Sequence, residues 1–204
     1  MTILLFCAVS EKVSLLNGTS KFSGISQDFV FFISLTSCNS NTEVLEKFPD
    51  GKPRKTIEHY NHDSTCEKSY HENGKLKEIK SFKNGKQTGE QIYFREDGTT
   101  AAVLTFSNGN RHGKTYEYHS SGQVAFEGVV ENGEFEGVSK WYFKNGKLNF
   151  IGNRHLGKDT GWWYYFNMLG DTIKRTYTKS VNDTTQYFDG NRKKITVEEW
   201  ENIK

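Results

Sequence analysis

The stretches "FKNGKQTGE" (Phe82–Glu90), "FSNGNRHGK" (Phe106–Lys114) and "VENGEFEGV" (Val130–Val138) are too polar for a core and too glycine-rich for a helix. They are versions of one another. Aligning them exposes a step of 24 residues: Gly74, Gly98, Gly122, Gly146 and Gly170 form one column, and Gly85, Gly109, Gly133 and Gly157 a second. Gly89, Gly113, Gly137 and Gly161 form a third, while Tyr70, Phe94, Tyr118, Tyr142 and Phe166 keep the same step as an aromatic column. Columns that stay in phase this long identify a tandem repeat, and the repeat governs the reading of the fold.

The intervals inside a unit say what is repeated. Gly74 to Gly85 is 11 residues, Gly85 to Gly89 is 4, and Gly89 to Gly98 is 9. The two longer intervals each fit one strand and the short one fits a turn. Asn-Gly falls at 73–74, 84–85, 108–109, 132–133 and 145–146, and Asp-Gly at 97–98. These pairs favour turns whose central residues take positive φ. Each unit therefore reads as a β-hairpin, joined to the next by another hairpin turn.

Apolar residues occupy both faces of the predicted strands. Val124, Phe126 and Val130 share one face of "QVAFEGVVEN"; in "VSKWYFKNG", Val138 and Tyr142 share a face with Lys140 while Trp141 and Phe143 point the other way. A single twisted sheet used on both sides has this pattern, and a sandwich with one clean inner face does not. Composition agrees: 19 Gly, 15 Phe and 10 Tyr stand against 2 Pro and 2 Met, a mixture suited to short strands and tight turns.

These residues resemble a known family. "YHENGKLKEIKSFKNGKQTGEQIYF" (Tyr70–Phe94) is similar to the bacterial variant of the MORN (membrane occupation and recognition nexus) repeat, and the likeness runs from about Tyr70 to Gly170. Degraded copies flank it. "FPDGKPRKTIEHY" (Phe48–Tyr60) repeats the turn and first strand, and "YFDG" (Tyr187–Gly190) echoes the turn out of register. The resemblance implies an all-β fold: an elongated, single-file antiparallel sheet of hairpins, roughly eleven strands and about 50 Å long. It also implies a non-enzymatic platform for protein or membrane contacts, of the type often labelled as the antitoxin component of a toxin–antitoxin system.

Both ends of the chain add to this reading. Residues 1–38 form a leader whose apolar "FVFFISLTSC" (Phe29–Cys38) resembles a bacterial lipobox, with Cys38 as the lipid-attachment residue. Its first part, residues 1–20, reads as a start placed too far upstream or as frameshifted sequence. A short apolar segment of a cytosolic protein is the alternative. Residues 39–46 read as a tether, 47–190 as the repeat domain and 191–204 as a C-terminal capping segment. In that segment Thr196 and Glu199 fit a capping box on a short helix carrying Val197, Trp200 and Ile203 on one side.

No catalytic residues stand out, because no nucleophile elbow, HExxH or calcium-loop spacing occurs. Carboxylates such as Glu117, Glu127, Glu131 and Glu134 read as solvated strand and turn charges. His59 and His62 suggest no metal site, since their segment reads as strand and turn, and no cofactor is implied. Cys7, Cys38 and Cys66 have no CxxC spacing, so neither a zinc knuckle nor a disulfide framework is expected. A formal charge of +2 gives no pull towards nucleic acid.

Binding is the better expectation. The column Tyr93, Glu117, Trp141, Tyr165 points away from the constant aromatic column, and "GWWYYF" (Gly161–Phe166) puts aromatics on both faces of one strand. Phe94, Tyr118, Tyr142 and Phe166 are expected to form the core of the sheet. Tyr93, Trp141, Trp163 and Tyr165 are expected to bind a protein partner, unless both columns simply stack along the sheet. Two functions follow: a scaffold anchored at the bacterial cell envelope through Cys38, or a soluble cytoplasmic antitoxin or immunity protein that occludes a toxin.

Overall fold

The computed structural model describes residues 41–179 and 185–203 of the 204. The leader, Cys38 included, lies outside the described residues. The chain runs through β1 (Asn41–Lys47), β2 (Pro53–His59), β3 (Ser64–Tyr70), β4 (Leu76–Lys83), β5 (Lys86–Gln87) and β6 (Gly89–Phe94). It continues through β7 (Thr100–Ser107), β8 (Asn110–Tyr118), β9 (Val124–Glu131), β10 (Glu134–Tyr142), β11 (Leu148–His155) and β12 (Lys158–Phe166). Last come β13 (Thr172–Thr178), β14 (Gln186–Asp189), β15 (Lys194–Ile195) and the helix α1 (Val197–Glu201).

All of the strands belong to one antiparallel sheet whose order follows the chain, with β5 paired to β4 off the main path. Each strand bonds only to its neighbours in sequence, so the molecule is quasi-one-dimensional. At about 4.8 Å per strand the sheet extends about 60 Å, longer than the repeat alone implied. The extra length lies at the ends. Residues 41–46, expected within a tether, form β1 together with Lys47, and the strand pairs with β2 from Asn41–His59 to Lys47–Pro53. All seven of its residues are exposed, so backbone pairing forms this strand and no apolar face announces it.

The Asn-Gly pairs make two different turns. At 84–85, 108–109 and 132–133 both residues have positive φ, the two-residue hairpin loop that matches strand twist. Lys83 therefore pairs directly with Lys86, and the short Gly85–Gly89 interval is mostly strand, not turn. At 73–74 and 145–146 only the glycine has positive φ. There His71 N–H donates to Lys75 O and Gly74 N–H to His71 O, both at 2.9 Å, a three-residue loop closed by a left-handed residue. Gly51, Gly98, Gly122 and Gly170 hold the same place in their loops.

The third glycine column makes bulges. Glu136 pairs with Val129 and Lys140 with Glu127, so residues 137–139 face Gly128 alone. Gly137 takes φ +74° there. The extra residues bend each hairpin and bring its tip against the next one. Gly109 N–H donates to Gln87 O at 2.8 Å, Gly133 N–H to Arg111 O at 3.0 Å, and Gly157 N–H to Phe135 O at 2.9 Å. At the opposite edge His71 and His119 Nε2 each donate to a carbonyl one unit on, Phe94 O and Tyr142 O, at 2.9 Å.

The packed side of the sheet changes along its length. Near the N-terminal end Thr56, Lys68 and Ile79 oppose one another on the first face and are buried. From β6 to β12 the buried side chains, Gln91, Thr115, Phe126, Val130, Ser139 and Trp163, lie on the second face, and β13 buries Thr176 and Thr178 there but Arg175 on the first. The Lys68 ammonium is 2.8 Å from Glu58 Oε1. Burial raises the Glu58 pKa, but hydrogen bonds from Lys68 and Tyr60 more than offset it, and the carboxyl titrates below its usual range. Cys66 is buried and disulfide-bonded, contrary to the expectation from spacing, because tertiary approach and not CxxC spacing decides such a pairing.

At the C-terminal end Thr196 caps α1 with the expected box: Glu199 N–H donates to Thr196 Oγ1 at 3.1 Å and Thr196 N–H to Glu199 Oε2 at 2.7 Å. Among the described residues no helix is long and apolar enough to cross a membrane.

Candidate partner-docking site

One transverse row on the second face contains most of the residues expected to bind a partner. Direct cross-strand pairing places Glu78, Tyr93, Ala102 and Glu117 side by side, and then Phe126, Trp141, Phe150 and Tyr165. The first half is polar. Buried Gln91 donates from Nε2 to Glu78 Oε1 at 2.5 Å and to the Tyr93 hydroxyl at 2.6 Å. Burial and the Glu78 charge push the Tyr93 pKa up.

The second half is a continuous aromatic stack. Ring centroids are 4.6 Å apart for Phe126–Trp141, 4.4 Å for Trp141–Phe150 and 5.6 Å for Phe150–Tyr165. Trp163 packs beside it, 5.7 Å from Trp141. The Arg154 guanidinium lies 5.0 Å from the Trp141 ring and 5.6 Å from that of Trp163, a cation–π arrangement. Asp159 Oδ1 holds Arg154 Nε at 3.1 Å.

Gly152 explains why the stack closes so tightly. A Cβ at Gly152 would come within 1.9 Å of the Trp163 indole. Glycine here provides space for a ring to lie on the strand, with no demand on φ. Gly128 plays the same part against Phe126, where a Cβ would meet the ring at 2.8 Å.

Of the four residues expected to dock a partner, burial removes one, Trp163. Trp163 is 2% exposed, so its ring is unavailable to a partner. Trp141 and Tyr165 are half-buried inside the stack, as the alternative of columns stacking along the sheet describes. Tyr93 is committed to the Gln91–Glu78 cluster. The constant column, expected as the core, is half-buried on the first face at the strand ends. Its Tyr142 donates to Glu127 Oε1 at 2.7 Å, beside Lys140 Nζ at 2.6 Å. Lys140 and Tyr142 hold the Glu127 carboxyl below its usual range, and burial with the Glu127 hydrogen bond pushes the Tyr142 pKa to about 12.

An aromatic patch that the column reading passed over lies on the first face. Trp162 is 38% exposed, and its ring centroid is 4.9 Å from Tyr177, 5.0 Å from Phe188 and 6.3 Å from Tyr164. Its column reads Glu90, Lys114, Val138, Trp162. The earlier members belong in water, and Val138 is itself 51% exposed. A tryptophan in a solvent column was the available signal. Among the described residues no group of three or more His, Cys, Asp or Glu is placed to hold a metal ion.

The family model described as MORN repeat variant matches residues 66–84, 111–132 and 135–154. Three segments of the chain are therefore similar to MORN-type repeats, which build β-scaffolds that generally serve protein interactions. No curated protein matches the chain. Among solved structures the chain is similar to one from "Crystal structure of accessory secretory protein 1,2 and 3 in Streptococcus pneumoniae", at 17% identity and a TM-score of 0.20. That match covers 64% of this chain, which spans 19% of its counterpart's length.

Alanine substitutions at two glycines test the packed face. Gly152→Ala drives a methyl into Trp163 and is expected to cost about 3 kcal/mol in urea unfolding. Gly161→Ala, with open space but φ +67°, is expected to cost about 1 kcal/mol. Equal effects at the two positions would contradict the Trp163 packing.

Proposed function

We propose that the protein is a non-enzymatic β-repeat scaffold that binds a protein partner through the first-face patch centred on Trp162. The carrying observation is the half-exposed Trp162 ring set among Tyr177, Phe188 and Tyr164. Aromatic anchors of this kind supply most of the energy at protein interfaces. The patch sits on the paired strands β12, β13 and β14, whose ladder fixes the backbone beneath it and so lowers the ordering cost of binding.

In its fuller form the reading places the scaffold at a bacterial cell envelope, held by a lipid on Cys38. The disulfide at Cys66 supports export, because disulfides persist in oxidising compartments. It also separates export from acylation. A chain cut and acylated at Cys38 has lost Cys7 and has a thioether at Cys38, so acylation there and a disulfide from Cys66 to a cysteine of the same chain exclude each other. The second reading, a soluble antitoxin that occludes a toxin, uses the same patch without an anchor.

Two measurements test these statements. With a photo-crosslinker replacing Tyr164, the protein in its native host is expected to capture a partner, and Trp162→Ala is expected to reduce capture about tenfold or more. Unchanged capture in Trp162→Ala would remove the patch from the interface. The intact mass of the native protein decides the anchor. An acylated chain beginning at Cys38 supports the envelope form, whereas an unmodified chain retaining earlier residues leaves the soluble form.

A further inference from the structure

The last turn of the sheet departs from the three-residue loops that a glycine closes. Asp189 N–H donates to Lys193 O at 3.0 Å and Arg192 N–H to Asp189 O at 3.2 Å, the pattern that Asn167–Asp171 makes around Gly170. Arg192 thus occupies the left-handed place held elsewhere by Gly51, Gly74, Gly98, Gly122, Gly146 and Gly170, at φ +69°. A side chain in that region is strained. Gly190 does not relieve it, because that glycine stands two positions too early.

Beyond this turn lies an arm of β15 and α1. β15 pairs with β14 through only two residues, and no residue of α1 is buried. Two groups of the sheet's second face hold the arm. The Trp200 ring sits edge-on to Tyr165 and Tyr187, with centroids at 5.3 and 5.4 Å. Lys174 Nζ lies 3.9 Å from the Trp200 ring centroid and donates to Trp200 O at 3.2 Å and Ile203 O at 3.3 Å. The last turn of α1 has no basic residue of its own, so Lys174 supplies the positive charge that a helix C-terminus favours. Burial lowers the Lys174 pKa, as suits an ammonium enclosed by a ring and carbonyls.

Trp200 is thus the terminal ring of the row that starts at Phe126, contributed by a segment joined through a strained hinge. We propose that Tyr165, Tyr187 and Lys174 form a second docking seat, for a short helix of a protein partner that presents one tryptophan and its C-terminal carbonyls, and that the C-terminal arm occupies this seat until the partner displaces it. The chemistry of the occupant is that of the arm itself. The inference rests on the scaffold reading but uses the face opposite Trp162. The strained Arg192 turn biases the arm towards release, and a glycine there removes the bias.

The test uses the full-length chain and, as probe, a fluorescein-labelled peptide of residues 193–204 read by anisotropy. Trp200→Ala, which vacates the seat, is expected to bind the peptide at least tenfold more tightly than wild type. Arg192→Gly, which relaxes the hinge and holds the arm down, is expected to bind it about threefold more weakly than wild type. Adding Lys174→Ala and Tyr187→Ala to Trp200→Ala is expected to abolish binding, with the thermal transition of the sheet retained. Trp162→Ala is expected to leave peptide binding unchanged, so this result and the Trp162 capture result fail independently. No binding to Trp200→Ala, or equal binding to wild type, Trp200→Ala and Arg192→Gly, overturns the proposal.

Discussion

A hydrogen bond from the turn glycine of one hairpin to a strand carbonyl of the hairpin before it organises this molecule. Gly109, Gly133 and Gly157 each make it. The bond needs a two-residue loop in which both residues take positive φ, and a glycine bulge that tips the hairpin towards its neighbour. Those two requirements fix two of the glycine columns and the step of 24 within each. Any insertion inside a unit would move a tip away from its carbonyl. A polar, glycine-rich stretch such as Phe82–Glu90 is therefore the most constrained part of the repeat.

Because each strand hydrogen-bonds in register only with its neighbours in the ladder, no deep core forms among the described residues, and stability comes from many thin contacts. The exceptions are local. Trp163 lies on Gly152, and Arg154 spans Phe135, Trp141 and Trp163. These contacts concentrate at the C-terminal end, where the stack from Phe126 to Tyr165 continues into α1. That end carries packed aromatics on one face and the open Trp162 patch on the other. A single strand, β12, thus sends adjacent tryptophans to opposite faces, one buried and one open.

Much of this was legible in the sequence. Fixed glycine columns gave hairpins, and a capping box gave the helix. The distinction between the two Asn-Gly turns was not, because the dipeptide suits both and its strand register decides which one forms. Periodicity showed which residues share a face but not which face is packed. Gly128 and Gly152, glycines inside strands and outside the three columns, carried that information, since a strand glycine marks a close approach. Glu90, Lys114 and Val138 likewise marked Trp162 as solvent-facing. Strand β1 had no such signal, for all seven of its residues are exposed and it packs no apolar face. Arg192 was hidden because "YFDG" offers Gly190 as the expected turn residue, while the hydrogen bonds place the left-handed position two residues later.

Amide hydrogen exchange of the turn glycines tests the central claim most directly. Gly109, Gly133 and Gly157 sit at hairpin tips, where amides ordinarily exchange freely. The inter-hairpin bonds predict protection of these three N–H groups comparable to that of the strand interiors flanking them. Exchange at the rate of an unstructured peptide at all three would mean that the hairpin tips are not coupled, and the glycine columns would then need another cause.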